Sequence, residues 1–430
     1  MGIYGWEKNN MKYGLIGEKL GHSYSKIIHE QLIDNYTYEL HPLKEEEVDT
    51  FMKEKAFDAI NVTIPYKQTV IPYLDEISKE AKQIGAVNTI VNKNGVLIGY
   101  NTDYLGFAYT LRKHGINIKN KKVLIMGNGG ASKAIQAVIH NEQPKAVVIV
   151  DIVKSEGILS IEEVYANHLD CEIIINTTPI GMYPNMDGSS VDIHKFKNCF
   201  ACIDAVYNPL RSDFILQAQE LGIKGINGLE MLVAQAKYAL EFFKDITIDD
   251  NKIDSIYKDI LLETSNVVLI GMPSSGKTTV GKEVAIHLNK EFIDIDEKIV
   301  DEIQMPIANF FKEHGEEAFR AIEARICKEV SSKINCVISC GGGVVLNKRN
   351  IFNLKHNGII VYLERDIDKL ISDSSRPLSS SKEEIAKLWK VRDPLYRSSR
   401  EIVIDNNGEI KTTIQNMQTA YKEYITDINQ

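Results

Sequence analysis

The sequence lacks long hydrophobic runs and the marks of a targeting segment. No stretch approaches the roughly 18 uninterrupted apolar residues that suggest a membrane-spanning helix. The N-terminal residues MGIYGWEKNN lack the basic-then-apolar layout of a secretory signal. Trp6 stands where a myristoylation signal after Gly2 needs serine or threonine. We therefore expect a cytoplasmic protein that makes no membrane contact.

Clustered cysteines and an excess of basic residues are also missing. The six cysteines are scattered, and only Cys199 and Cys202 form a C-x-x-C, at the start of the apolar run CFACIDAV. This context favours core packing over a redox or zinc site. The net charge of −9 argues against a general nucleic-acid surface. An anionic ligand must therefore be held by a few placed cations, hydroxyls or backbone N–H groups.

The 430 residues suffice for about three domains of ~150 residues. Strand-like and helical patterns alternate, which predicts the α/β class with parallel sheets. The polar stretch 245–254 follows an amphipathic helix at 228–243 and places the main domain boundary near Thr264. The expected strands are YGLIG (13–17), FDAINVT (57–63), KKVLIMG (121–127), AVVIVD (146–151), CEIIINTTP (171–179) and CFACIDAVY (199–207).

The stretch VVLIGMPSSGKTTVG, which begins at Val267, has the spacing G-x-x-x-x-G-K-[ST]. It follows an apolar strand and precedes a helical pattern, as a phosphate-binding loop does. Backbone N–H groups would surround the β-phosphate, Lys277 would reach the β- and γ-phosphates, and Thr278 would bind Mg²⁺. The expected ATP-binding residues of the loop are Gly271, Ser274, Ser275, Gly276, Lys277, Thr278 and Thr279.

Three further stretches of the C-terminal part carry candidate residues. Asp294 and Asp296 lie two apart in EFIDIDEKI, so on one strand they share a face, although a solvated acidic edge is the alternative. Arg320 and Glu323 lie on one helix face and could be only a surface pair. CVISCGGGVV (336–345) is a strand that breaks into three glycines, where the backbone must approach something closely.

Together with an R-P-L segment and the stretch VRDPLY, these pieces resemble shikimate kinase over residues 265–430. The resemblance implies a P-loop, nucleoside-monophosphate-kinase-like α/β domain with a parallel sheet. It also implies that Asp296 holds the acceptor hydroxyl near enough to act as base, and that Asp294 serves the Mg²⁺ shell with Thr278. The serine-rich stretch 372–384 reads either as a flexible linker or as a lid that brings Arg376 onto the phosphates. The implied shikimate contacts are Asp296, Arg320, Gly342 and Arg392.

The N-terminal part contains GNGGAS (127–132) between a strand and a helix, as in a dinucleotide-binding turn. Ser132 occupies the third-glycine position, so a bare helix-capping turn is the alternative. The stretches GHSYS, NVTIPYK, GAVNT and NTDYLGF add one lysine, one aspartate and many neutral hydrogen-bonding groups. Lys67 could donate a proton to a forming alkoxide, and Asp103 could orient it, although NVTIPYK alone also fits a surface lysine after a proline turn.

With NTTPIGM, DAVYNPL and GLEMLVAQA, these stretches resemble shikimate dehydrogenase across residues 12–245. The resemblance implies a two-domain dehydrogenase in which a Rossmann-like domain (105–228) is inserted between substrate-domain parts 1–104 and 229–263. Lys67 and Asp103 would be the catalytic pair. The implied shikimate contacts are Ser23, Ser25, Asn61, Thr63, Lys67, Asn88, Asp103, Tyr207 and Gln235. The implied cofactor contacts are Gly127, Asn128, Gly129, Gly130, Ala131, Asp151 and Gly228.

The two resemblances imply a bifunctional enzyme, with residues 1–263 reducing 3-dehydroshikimate and residues 264–430 phosphorylating the shikimate formed. Fragments that end near Glu263 and begin near Ser265 are then expected to fold and act separately. A quinate-preferring dehydrogenase half is one alternative. An inactive transcriptional regulator is disfavoured, because the candidate catalytic residues are present and no basic helix-turn-helix is evident. The sequence leaves open the oligomeric state and any channelling of shikimate.

One position departs from the dehydrogenase resemblance. That family usually follows the second strand of its cofactor domain with Asn-Arg-Thr, which holds the 2′-phosphate of NADP, whereas here Asp151, Ile152 and Val153 follow AVVIV. A carboxylate about twenty residues past the glycine turn suits the free ribose hydroxyl of NAD. Lys154 could still reach a phosphate, and Asp151 could be a mere strand-end cap. We expect NAD(H) to serve at least as well as NADP(H).

Overall fold

The computed structural model describes residues 12–21, 23–153, 155–370 and 381–427, which form two compact units. The first contains the described residues up to Met182 together with Asp187–Asn208 and Gln217–Tyr257. The second contains Tyr183–Met186, Pro209–Leu216 and the described residues from Lys258 onward. In these ranges no helix has both the length and the apolar character to cross a membrane.

The first unit begins with a mixed six-stranded sheet in the order β2-β1-β3-β5-β6-β4. β5 runs antiparallel to β3 and β6. The β5–β6 turn contains Asn94 and Gly95, both at positive φ (55° and 91°), as a tight hairpin requires. The strands are β1 Tyr13–Gly17, β2 Glu39–Pro42, β3 Ala59–Val62, β4 Glu76–Ile77, β5 Thr89–Lys93 and β6 Val96–Tyr100. The helices are α1 Ser25–Leu32, α2 Glu45–Glu54, α3 Lys79–Ile84 and α4 Thr102–Lys113.

A second sheet has six parallel strands in the order β12-β11-β10-β7-β8-β9. The strands β7, β8 and β9 follow one another toward one edge of this sheet, and β10, β11 and β12 follow one another toward the opposite edge. This is the strand order of a Rossmann-like dinucleotide domain. The strands are β7 Lys122–Met126, β8 Ala146–Val150, β9 Ile158–Leu159, β10 Ile173–Asn176, β11 Ala201–Asp204 and β12 Lys224–Ile226. The helices are α5 Gly130–Asn141, α6 Ile161–Asn167, α7 Asp213–Glu220 and α8 Leu229–Lys244. In such sheets ligands bind at the carboxyl ends of the strands, where the order reverses.

The second unit is built on a parallel five-stranded sheet in the order β14-β15-β13-β16-β17. The strands are β13 Asn266–Ile270, β14 Glu291–Asp294, β15 Cys336–Ser339, β16 Gly358–Glu364 and β17 Ile402–Asp405. Helix α9 Asn251–Thr264 precedes the sheet, and its residues up to Tyr257 belong to the first unit. The helices that follow are α10 Lys277–Leu288, α11 Ile295–Ile303, α12 Ile307–Ser331, α13 Lys348–Leu354, α14 Lys382–Ser399 and α15 Ile410–Asp427. The expected α/β class is confirmed, with parallel second and third sheets.

Helix α9 begins inside the polar stretch that the sequence assigned to the boundary. Its apolar residues Ile253, Ile256, Ile260 and Leu261 are buried at the helical spacing of three and four residues. The sequence predicts one short helix between the polar stretch 245–254 and the next strand, and α9 is that helix, although it begins earlier, at Asn251.

Arg211 lies in the short segment Pro209–Leu216, which precedes the main part of the second unit in the chain but belongs to that unit. Its guanidinium pairs with Glu401 and donates to the Gly358 carbonyl, and Nε donates to the Lys355 carbonyl at 2.8 Å. Tyr424 also donates to Glu401, at 3.0 Å. The Arg211 and Glu401 side chains are largely buried, with exposures of 10% and 13%.

We expect Arg211→Ala to destabilise the second unit by about 3–5 kcal/mol, because it leaves the Glu401 carboxylate buried without its partner. Urea unfolding of the full chain measures the change, with the loss of the activity assigned to the second unit as the signal. Lys282→Ala is the matched control, since Lys282 lies 3.5 Å from Glu297 in a pair with side chains 53% and 63% exposed; its cost is expected at or below about 1 kcal/mol. Equal midpoints for the two variants would contradict the prediction.

Candidate active sites

The glycine turn of the first unit connects β7 to α5. Gly127 has φ +99°, and a Cβ there would lie 2.7 Å from Thr177 Oγ1, so the position requires glycine. The N-cap of α5 is Gly129, which offers no side-chain cap, and a Cβ on Gly129 would have no neighbour within 4 Å. No side chain therefore caps the first turn of α5, which leaves its N–H groups suited to a dinucleotide pyrophosphate. Asn128 lies in the same glycine turn, and Ala131 lies in the first turn of α5.

Ser132 explains the imperfect third position of the glycine motif. Its side chain is buried, and Oγ donates to the Gly127 carbonyl at 2.6 Å. The hydroxyl thereby braces the turn from inside the helix. Serine at this position is compatible with the turn that the motif predicts.

Asp151 lies directly after β8, beside the glycine turn. Its Oδ2 accepts from the backbone N–H of Asn128 at 2.7 Å, and its Oδ1 accepts from that of Val153 at 3.0 Å. Ile152 is 98% exposed and offers no charge. The carboxylate is thus fixed beside the glycine turn by two backbone N–H groups, and Lys154 lies outside the described residues.

Lys67 and Asp103 form an ion pair, with Nζ 2.5 Å from Oδ2 and side-chain exposures of only 15% and 12%. Lys67 follows β3, whereas Asp103 lies in the first turn of α4, which Asn101 caps. A Cβ on Gly130 would lie 3.7 Å from Cδ of Lys67. The fold therefore brings this pair next to the N-terminus of α5.

Hydroxyl-bearing residues form a second edge of the same region. Ser23 Oγ donates to Ser25 Oγ at 3.0 Å just before α1. Between them Tyr24 packs on Tyr207, with ring centroids 5.5 Å apart. Burial raises the pKa of the Tyr207 phenol, so it stays a neutral hydrogen-bonding group. Thr63 follows β3 and lies close to Gly17, because a Cβ on Gly17 would be only 2.5 Å from Thr63 Cγ2.

Three buried amides, Asn61, Asn88 and Gln235, come from β3, the turn before β5, and α8. Gln235 reaches the others because α4 and α8 pack closely at Gly106, where a Cβ would lie 2.7 Å from the Met231 carbonyl. The structure thus gathers residues that lie more than a hundred positions apart in the chain. Gly228 caps the start of α8 and donates its N–H to the Val206 carbonyl at 3.0 Å.

In the second unit the phosphate loop connects β13 to α10. Gly276 has φ +93° and caps α10 without a side-chain bond, so the helix N-terminus is open to an anion. Lys277 Nζ donates to the carbonyls of Gly271 and Met272 at 3.0 and 2.8 Å. Ser275 Oγ is buried and has no hydrogen-bond partner among the described residues. An orphaned hydroxyl in this loop fits a phosphate oxygen.

Asp294 and Asp296 do not share a strand face, so that expectation is wrong. The strand β14 ends at Asp294, whose carboxylate caps α11 by accepting from the N–H groups of Asp296 and Glu297 at 3.0 and 3.4 Å. The cap turns the chain, and Asp296 lies in the first helical turn. Thr278 Oγ1 donates to Asp294 Oδ2 at 2.8 Å.

The oxygen atoms of Thr278 and Asp294 are the ligand type that Mg²⁺ prefers. Mg²⁺ usually keeps several waters and phosphate oxygens, so two protein ligands suffice. Over the ranges that the structure describes, no group of three or more His, Cys, Asp or Glu side chains could hold a metal ion.

The three-glycine turn lies between the phosphate loop and the acceptor residues. A Cβ on Gly341 would lie 2.6 Å from Asp296 Oδ1, and one on Gly342 would lie 2.8 Å from Pro273 of the loop. A Cβ on Gly343 would collide with the Arg320 guanidinium. Side chains from α11 and α12 and the phosphate loop thus all meet at this turn, which is the close approach that the sequence predicted.

Arg320 and Arg392 place two cations at this turn. Arg320 donates to Glu323 at 2.9 Å and to Glu316 at 3.0 Å. Burial lowers the pKa of the Arg392 guanidinium, and the nearby Arg320 charge acts in the same direction. Two neighbouring guanidinium groups attract a carboxylate. Arg376 and residues 371–380 lie outside the described residues, and 382–384 belong to α14.

Family models match two regions of the chain. Residues 15–90 match the model described as the shikimate dehydrogenase substrate binding domain, and residues 273–426 match the shikimate kinase model. A curated shikimate dehydrogenase (NADP(+)) from Clostridium perfringens is 38% identical over 264 residues, 58% of this chain and 97% of that protein.

Two solved structures show the same relation. A chorismate mutase/shikimate 5-dehydrogenase fusion protein from Clostridium acetobutylicum has 38% identity and a TM-score of 0.55, and covers 59% of this chain and 97% of its own. Shikimate 5-dehydrogenase from Listeria monocytogenes in complex with shikimate and NAD has 27% identity and a TM-score of 0.52, and covers 59% and 97%. The chain therefore belongs to the shikimate dehydrogenase family and carries a shikimate kinase domain at its C-terminal end.

Proposed function

We propose that the chain is a bifunctional enzyme that reduces 3-dehydroshikimate to shikimate with a nicotinamide cofactor and then phosphorylates shikimate with ATP. The observation that carries the proposal is the shielded Lys67–Asp103 pair next to the open N-terminus of α5, in a chain whose second unit has a phosphate loop. We assign residues 1–263 to the dehydrogenase and 264–430 to the kinase. The pathway is that of aromatic amino-acid precursor synthesis, and a cytoplasmic location fits the need for ATP and reduced nicotinamide.

In the dehydrogenase, Lys67 acts as general acid. Its ammonium donates a proton to the carbonyl oxygen of the substrate as the carbon is reduced, and it accepts one in the reverse direction. Asp103 orients Lys67 through the 2.5 Å contact and binds a ring hydroxyl. The nicotinamide cofactor supplies the hydride when it is bound. Hydroxyl and amide groups from the surrounding elements bind the remaining ring oxygens.

In the kinase, Asp296 accepts the proton of the acceptor hydroxyl. Lys277 and the loop N–H groups neutralise the phosphates, while Thr278 and Asp294 serve the Mg²⁺ that accompanies ATP. Arg320 and Arg392 bind the carboxylate of shikimate, and the Gly342 backbone approaches its ring. Arg376 would reach the phosphates from the segment 372–384.

Two separate assays of the full chain test the proposal. NADPH or NADH should be consumed with 3-dehydroshikimate, and ADP should be released from ATP–Mg²⁺ with shikimate. Quinate is the control substrate when the first reaction is run in reverse, as oxidation with NAD⁺ or NADP⁺, because it differs from shikimate by one ring hydroxyl. A chain that consumes reduced cofactor only with other carbonyl compounds, or that releases no shikimate-dependent ADP, would refute the corresponding half.

The position of Asp151 leads us to propose that NAD(H) serves at least as well as NADP(H). Its carboxylate, fixed by Asn128 and Val153, would hydrogen-bond a free ribose hydroxyl and repel a 2′-phosphate. The Clostridium perfringens relative carries NADP(+) in its name, whereas the Listeria monocytogenes enzyme was solved with NAD.

We therefore expect kcat/KM for shikimate oxidation with NAD⁺ to equal or exceed that with NADP⁺. Asp151→Asn should shift the ratio toward NADP⁺, because it removes the repelling charge and keeps the side-chain shape. A tenfold or greater preference of the unmodified chain for NADP⁺, which corresponds to about 1.4 kcal/mol, would contradict the proposal.

A further inference from the structure

Arg365 is a cation of the second unit that no described residue neutralises. It follows β16 directly, at the carboxyl end of a strand that pairs with β13, and its side chain is partly buried. Its Nε is shielded from solvent and has no hydrogen-bond partner among the residues that the structure describes. A shielded N–H group without an acceptor costs free energy in the folded chain. A ligand of the second unit is therefore the expected acceptor.

The carboxylates on either side of Arg365 in the chain are bound to other groups. Glu364 pairs with Arg397. Asp366 Oδ1 accepts from Asn407 Nδ2 at 3.1 Å. The charge of Arg365 is therefore not balanced by its chain neighbours, and its donors remain available to an anion from outside the chain.

The guanidinium of Arg365 lies beside the phosphate loop. A Cβ on Gly276 would be 3.8 Å from Arg365 Nη1. Gly276 caps α10 without a side-chain bond, and the first N–H groups of such a helix suit an anion. In parallel sheets ligands bind at the carboxyl ends of the strands, and Arg365 stands at such an end. The guanidinium and the N-terminus of α10 therefore lie close enough to bind neighbouring oxygens of one polyanion.

The loop that follows β17 holds Arg365 and the phosphate loop in register. The Asp366 N–H donates to Asn407 Oδ1 at 2.8 Å, and Asn407 Nδ2 donates back to Asp366. The preceding residue, Asn406, is buried, and its Nδ2 donates to the Ser275 carbonyl of the phosphate loop at 2.7 Å. The distance between the guanidinium and the phosphate loop is thus set by side-chain bonds to one shared loop.

The position of Arg365 indicates which part of a nucleotide it meets. The transferred phosphate must face Asp296, which lies beside the three-glycine turn. That turn approaches the phosphate loop at Pro273, where a Cβ on Gly342 would lie 2.8 Å away. Arg365 approaches the same loop at Gly276 instead. It therefore faces the phosphates that stay with the nucleotide rather than the phosphate that is transferred.

We propose that Arg365 binds the phosphates that ATP and ADP have in common. The inference rests on the proposed function of the second unit, and it adds a cation that was not singled out from the sequence. A guanidinium binds phosphate oxygens through planar, charge-assisted hydrogen bonds. Because both nucleotides carry these phosphates, Arg365 strengthens the binding of both and contributes little to the chemical step.

The test is Arg365→Ala in the full chain, assayed by shikimate-dependent ADP release. KM for ATP should rise by about 10- to 100-fold, the range for loss of a hydrogen bond to a charged group, while kcat changes by less than about threefold. Inhibition by ADP should weaken by a similar factor. KM for shikimate and the dehydrogenase rate should not change. Arg365→Lys should recover part of the loss, because the charge returns without the planar donors.

Arg325→Ala is the matched control. Arg325 lies on α12, pairs with Glu302 and is 56% exposed, so its loss should leave KM for ATP within about twofold. Thermal unfolding then separates nucleotide binding from a structural role. Without nucleotide, Arg365→Ala should unfold at the same temperature as the unmodified chain or at a higher one, whereas the rise in midpoint that ADP causes should shrink. If Arg365→Ala does not accumulate as soluble protein, Arg365→Gln carries the same expectations.

Three results would overturn the inference: an unchanged KM for ATP, a weaker affinity for ATP but not for ADP, or a lower unfolding midpoint in the absence of nucleotide. The unmodified chain separates the two levels of the account. If it neither binds ADP nor phosphorylates shikimate, the proposed function of the second unit is wrong. Normal ATP kinetics of Arg365→Ala in an active chain would refute only the role of Arg365.

Discussion

Replacement of Lys67 by alanine is expected to lower dehydrogenase turnover by about 10²–10⁴, the range for loss of a positioned proton donor. The largely buried ion pair with Asp103 holds the Lys67 ammonium in place. In our proposal Lys67 alone donates the proton to the carbonyl oxygen. Shikimate-dependent ADP release by the same chain should not change. Steady-state rates of both reactions on one preparation measure this directly.

Lys53→Ala is the control for the loss of a lysine from the first unit. Lys53 pairs with Asp49 on the surface of α2, where its side chain is 67% exposed. Its removal should leave both rates within about twofold, as expected for an exposed pair. A fall of less than tenfold for Lys67→Ala, or an equal fall in kinase rate, would contradict the assigned role.

Replacement of Asp296 by asparagine is expected to lower kinase turnover by about 10²–10⁴ and to leave the dehydrogenase unchanged. Asparagine keeps the size of the side chain beside Gly341 but cannot accept the hydroxyl proton. KM for ATP should change little, because the phosphate loop is intact. The measurement is the rate of shikimate-dependent ADP release at saturating ATP.

Asp301→Asn is the matched control, since Asp301 is exposed on the same helix, α11. It should retain the full rate. A kinase that keeps most of its activity after Asp296→Asn would show that another group takes the proton. Loss of both activities would show that the two sites are not separate.

The sequence predicted the local frames of both sites because each is a short motif. The glycine turn at 127–130 and the phosphate loop at 271–278 lie between a strand and a helix as expected. In both, the chemistry depends on backbone N–H groups whose geometry neighbouring residues determine. The β5–β6 hairpin was missed, although Asn94-Gly95 is a strong turn signal for two antiparallel strands.

Tertiary contacts account for what the sequence did not reveal. Asp296 reads as a strand residue until the Asp294 carboxylate is seen to cap α11. Thr89, Thr102 and Tyr38 look like ordinary core residues in the sequence, because their hydrogen-bond partners lie in other elements. Pro209–Leu216 joins the second unit through Arg211, whose partner Glu401 is 190 positions away. A fragment that begins near Ser265 omits both this segment and helix α9, which bears on the expectation that the halves act separately.

The most direct test of the account supplies the full chain with 3-dehydroshikimate, reduced nicotinamide cofactor and ATP–Mg²⁺ in one vessel. We predict that shikimate 3-phosphate forms, with one reduced cofactor and one ATP consumed per molecule. Lys67→Ala should slow its formation from 3-dehydroshikimate by about 10²–10⁴ and leave its formation from added shikimate unchanged. Formation of no shikimate 3-phosphate by the unmodified chain, from either starting compound, would contradict the central claim.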